Sequence, residues 1–74
     1  MKERYILGGS PVLIRALAEV MIADPEFELI TLAGPPGAPV RIVANMPPER
    51  ADLLSRALSG HLTIERDEDI HPFV

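Results

Sequence analysis

The stretch Glu26-Phe27-Glu28-Leu29-Ile30-Thr31-Leu32-Ala33-Gly34-Pro35-Pro36-Gly37-Ala38-Pro39-Val40-Arg41-Ile42-Val43-Ala44 decides the fold of this chain. Two runs rich in β-branched and apolar side chains, 26–33 and 40–44, flank six residues that neither a strand nor a helix can cross. Together they read as an antiparallel hairpin. Strand alternation puts Phe27, Leu29 and Thr31 on one face of its first strand.

Working outward toward the N-terminus, Leu13, Ala16, Leu17, Val20 and Met21 recur at three- and four-residue spacing. They predict a helix with Ser10 as its cap and Pro11 at its first position. It ends near Asp24, because a residue before proline is biased away from helical angles. Residues 4–8 precede it as a strand. On the other side of the hairpin, Pro47-Pro48-Glu49 opens a second helix with the stripe Leu53, Leu54, Ala57 and Leu58, stopped by Gly60. Residues 61–65 form the fourth strand. The order is βαββαβ, an α+β, ferredoxin-like arrangement: a four-stranded antiparallel sheet with two helices on one face. Right-handed crossovers place strands 1 and 3 in the centre and strands 2 and 4 at the edges.

Seventy-four residues make a single domain, 1–74, with 66–74 read as an extended C-terminal tail. At this length folding buries only about 60–65% of the unfolded chain's surface. There is no cysteine to supply a disulfide or thiolate metal site. A net charge of −4, with one Tyr and two Phe, argues against nucleic acid, which needs clustered cations or aromatic platforms. The longest nearly uncharged run, 6–14, holds two glycines, Ser10 and Pro11 and is too short for a membrane span or an export signal. The residues assign no compartment: cytoplasm and secretion as part of a longer precursor both stay open.

Candidate chemistry is sparse. Gly8-Gly9-Ser10 at a strand-to-helix junction lacks the further glycines or the Lys of a phosphate loop and reads as a tight turn. Ser10, Ser55 and Ser59 have no nucleophile-elbow spacing around them, and His61 and His71 are the sole imidazoles. Asp67-Glu68-Asp69 lacks the glycine and terminal glutamate of a calcium loop. No catalytic residue, metal site or cofactor is expected, and the chain is read as a non-enzyme.

What stands out instead is Glu65-Arg66-Asp67-Glu68-Asp69-Ile70-His71-Pro72-Phe73-Val74. Four of the eleven acids are followed by an apolar end. The ordinary reading of the acids is a solvated edge that discourages sheet-to-sheet aggregation. The apolar end either closes the core or is presented to a partner.

The second half, 40–74, resembles the propeptides of subtilisin-like serine proteases and the free-standing inhibitors related to them. The residues that carry the likeness are Ile42-Val43-Ala44-Asn45-Met46-Pro47-Pro48-Glu49, then Leu53-Leu54-Ser55-Arg56-Ala57-Leu58, Gly60, and Leu62-Thr63-Ile64-Glu65-Arg66-Asp67. Residues 4–33 match by topology and pattern. The resemblance implies a protease inhibitor whose sheet face docks on two surface helices of the protease. Glu65 and Asp67 would cap those helices, and the tail would lie in the substrate cleft. Ile70, His71, Pro72 and Phe73 would fill four successive subsites, with Phe73 in the primary pocket and Val74 one residue beyond it. Assistance to the protease's folding, as an intramolecular chaperone, is a further implied role, and the free chain is expected to be a monomer. Two alternatives stay open: a small-molecule-binding regulatory module that uses Gly8-Gly9-Ser10 near its ligand, and a docking domain for a peptide-modifying enzyme.

Overall fold

A computed structural model of the chain describes residues 1–67. The elements run β1 (Glu3–Gly9), α1 (Pro11–Ala23), β2 (Glu28–Ala33), β3 (Arg41–Met46), α2 (Pro48–Ala57) and β4 (Leu62–Arg66). The sheet order is β2-β3-β1-β4 with every pair antiparallel, as the ferredoxin-like reading requires. β1 and β3 are central, and β2 and β4 are the edges.

Local chemistry sets most boundaries. Ser10 sits in extended geometry (φ −66°, ψ 155°), and its hydroxyl accepts from the Leu13 amide at 3.3 Å, with Pro11 opening α1 behind it. α1 ends before Asp24, whose carboxylate accepts from the Glu26 amide at 2.9 Å and turns the chain toward β2. In the hairpin the Ala38 amide donates to the Pro35 carbonyl at 2.9 Å, and Gly37 takes φ +75°. This is the geometry of a type II turn, with proline at its first central position and glycine at the second. α2 opens at Pro48 with Glu49 in its first turn and Arg56 in its last, each complementing the helix dipole.

The core lies between the helices and one sheet face. Tyr5 and Leu7 of β1, Ile42, Ala44 and Met46 of β3, and Leu62 of β4 meet Ile14, Leu17, Ala18 and Met21 of α1 and Ala51 of α2. Leu13, Phe27, Leu29, Leu54, Leu58 and Ile64 pack around that cluster.

Three expected faces are corrected here. In α1 the buried stripe is Ile14, Leu17, Ala18 and Met21, while Ala16 and Val20 of the predicted stripe are exposed. The helix is apolar on nearly every side, so several stripes satisfy a 3.6-residue period, and the sheet selects one of them. In α2 Ala51 is the buried residue, Leu54 and Leu58 are half-buried, and Leu53 and Ala57 face solvent. In β2 a bulge at Ile30 lets Leu29 pair with Ala44 and Thr31 with Val43. An extra residue reverses the alternation beyond it, so Thr31 leaves the Leu29 face and Leu32, opposite Ile42, joins it.

Between α2 and the start of β2, the Arg50 guanidinium lies 3.8 Å from Asp24 and 3.7 Å from Glu26. It also sits 5.8 Å from the centre of the Phe27 ring. One side chain thus ties the second helix to the end of the first crossover.

Candidate functional site

The sheet face opposite the helices is uncovered, and strand register fixes what it displays. One row across the sheet is Ala33, Arg41, Gly8 and Thr63; the next is Thr31, Val43, Ile6 and Glu65. The third is Glu28, Asn45 and Arg4, continued by Asp67, whose amide donates to the Arg4 carbonyl at 2.9 Å. Alternation puts Leu62, Ile64 and Arg66 on the helix side and Thr63, Glu65 and Asp67 on the uncovered side.

Both acids singled out from sequence therefore rise from one face, Glu65 from the edge strand β4 and Asp67 from the residue just past its end. Glu65 is exposed and makes no ion pair among the described residues. Asp67 is half-buried, with its carboxylate 3.9 Å from the Arg4 guanidinium. Arg66 points the other way and lies 2.6 Å from Glu3 Oε1. That contact is ionic rather than a directed hydrogen bond, since the oxygen has no partner at an acceptable angle. At the far edge, Asn45 donates to Glu28 at 2.8 Å.

Gly8 makes a notch in the middle of the upper row. A methyl group there would come within 2.9 Å of the Thr63 hydroxyl, which donates to the Gly8 carbonyl at 3.4 Å. The resulting open depression has a volume of about 320 Å³ and is lined by Ile6, Gly8, Val40, Arg41, Thr63 and Glu65. Sequence reading missed Arg41, Thr63 and Ile6. The signal that finds them is the register of β1, which sets Gly8 between Arg41 of β3 and Thr63 of β4.

The remaining candidates are dispersed. Gly8 and Gly9, expected as a tight turn, instead form the end of β1; the Gly9 amide donates to the Val40 carbonyl at 3.1 Å and Ser10 caps α1, so their polar groups are used internally. Ser55 is on the exposed side of α2, and Ser59 and His61 lie in the turn after it. His61 was expected to begin the last strand, which instead starts at Leu62 and continues one residue further, to Arg66. No three His, Asp or Glu side chains converge among the described residues. Ile70, His71, Pro72, Phe73 and Val74 lie outside the described residues.

Comparison with family models, curated proteins and solved structures yields no match.

Proposed function

We propose that this chain binds and inhibits a subtilisin-like serine protease, with the uncovered sheet face against two protease helices and residues 70–74 in the substrate cleft. The observation that carries the reading is the placement of Glu65 and Asp67: two residues apart, on the uncovered face, at the end of the edge strand that precedes the tail. Carboxylates are favoured at helix N-termini, and a cap contributes about 0.5–2 kcal/mol. An extended tail can pair with an exposed strand of an enzyme cleft. A domain that binds only the folded protease also favours its folded state by mass action, which is the physical basis of folding assistance.

Area argues that face and tail must act together. Four strands about 4.8 Å apart and about five residues long make a face of roughly 330 Å² in plan. A stable interface takes about 800 Å² from each partner. The sheet face falls short of that, so the tail has to supply much of the contact. Deleting residues 70–74 should preserve the circular dichroism spectrum and abolish inhibition across a panel of subtilisin-like proteases. Undiminished inhibition by the shortened chain sinks the proposal.

A further inference from the structure

The depression at Gly8 has one cationic and one anionic wall. Arg41 stands on β3 directly opposite Gly8, and Glu65 stands on β4 opposite Ile6, so the two flank the central strand β1. Their backbones are separated by two strand spacings, about 9.5 Å, and offset by one row, about 6.7 Å along the strands. The two charges form no ion pair with each other, and Arg41 makes neither an ion pair nor a side-chain hydrogen bond among the described residues. The other arginines of the described residues are all engaged: Arg4, Arg50, Arg56 and Arg66 in ion pairs, and Arg15 on the Gly37 carbonyl. The Thr63 hydroxyl lies beside the notch, engaged by the Gly8 carbonyl, and Ile6 adds apolar wall.

We infer that this depression binds a zwitterionic α-amino acid with an apolar side chain, its carboxylate on Arg41, its ammonium on Glu65, and its side chain against Ile6. An α-amino acid presents opposite charges about 3 Å apart, and a charge-assisted hydrogen bond of about 2.8 Å at each end lets it bridge the two walls. Gly8 makes the room, since any side chain there would fill the floor. Neither Gly9 nor Ser10 belongs to the site, because their polar groups are used inside the fold.

The test uses the full chain, labelled with nitrogen-15 and titrated with L-leucine in the absence of any protease, so its outcome is independent of the proposed inhibition. L-Leucine should shift the amide resonances of Gly8, Thr63 and Glu65 with a dissociation constant near or below about 1 mM, a modest affinity suited to an open site. 4-Methylpentanoate, which lacks the ammonium, and 3-methylbutylamine, which lacks the carboxylate, should each bind about tenfold or more weakly, as should L-leucine to Arg41→Gln or Glu65→Gln. Glu28→Gln, on the far edge of the same face, should bind like the parent. No shifts up to roughly 20 mM, far above a useful affinity, overturn the assignment. So does equal binding of either analogue, or an Arg41→Gln variant that binds as the parent does.

Discussion

Replacing Glu65 and Asp67 together by Ala probes the docking geometry most directly, because the two carboxylates do not hold the fold together. Glu65 has no ionic partner among the described residues, and Asp67 has only Arg4 at 3.9 Å, between side chains 54% and 35% exposed. An exposed pair of that kind is worth about 0–1 kcal/mol, so thermal unfolding of the double variant should stay close to that of the parent. Binding is another matter. Removal of a helix cap costs about 0.5–2 kcal/mol, so loss of two should weaken inhibition by about fivefold to several hundredfold.

The two acids should not contribute equally. Asp67 has to share its carboxylate between Arg4 and the protease helix, whereas Glu65 is uncommitted. The competition withholds up to about 1 kcal/mol, so Glu65→Ala should cost more than Asp67→Ala, and Arg4→Gln should tighten binding by up to about fivefold. Inhibition constants against a panel of subtilisin-like proteases provide the measurement, taken at low and at moderate salt. Glu28→Ala is the internal control: it removes the same charge from the opposite edge of the same face, where the carboxylate is engaged by Asn45. If Glu28→Ala weakens inhibition as much as Glu65→Ala, the effect is diffuse electrostatics screened over about 10 Å at 0.1 M salt, and capping is wrong. A double variant within twofold of the parent refutes it as well.

Three further outcomes test the fold. Ile14→Ala, at a fully buried position, should cost about 2–5 kcal/mol by denaturant unfolding, a large part of the roughly 4–11 kcal/mol available to a domain of this length. Val12→Ala, on the opposite side of the same helix and 82% exposed, should stay within about 0.5 kcal/mol of the parent; equal costs would refute the assigned buried stripe of α1. Gly37→Ala should destabilise by about 1–2 kcal/mol, because φ +75° is strained for a residue with a Cβ, although nothing lies within 4 Å to clash with it. Ser10→Ala should cost about 1 kcal/mol through loss of the bond to the Leu13 amide, whereas Ser55→Ala, on the exposed side of α2, should be nearly neutral; both are read from thermal melts.

The features legible in the sequence are those whose cause lies within a few residues. Ser10 and Pro11 start a helix by their own chemistry, Pro25 and Gly60 lie just beyond helix ends, and Pro35-Pro36-Gly37-Ala38 is a turn for reasons confined to four residues. Once the hairpin between 33 and 41 is fixed, handedness alone gives the sheet order. The faces were harder to read. A helix that offers Val12, Leu13, Ile14, Ala16, Leu17, Ala18, Val20, Met21 and Ile22 in one turn after another has no unique apolar stripe. Its orientation is chosen by Leu7, Ile42 and Met46, which are distant in sequence.

The bulge at Ile30 has a similar origin, since it exists only in the pairing of β2 with β3. It also settles what the uncovered face can present at its β2 edge. Without it, Thr31 would follow Leu29 into the core side, and Leu32 would add a large apolar side chain beside Arg41 and Val43. With it, that edge shows Glu28, Thr31 and Ala33, and the Arg41 side of the Gly8 notch stays open. Glu65 and Asp67 stand out in the sequence only through the resemblance of residues 40–74, and Arg41 acquires its significance only through the glycine opposite it. A site built across strands is written in the register, and the register is what a single strand's sequence does not contain.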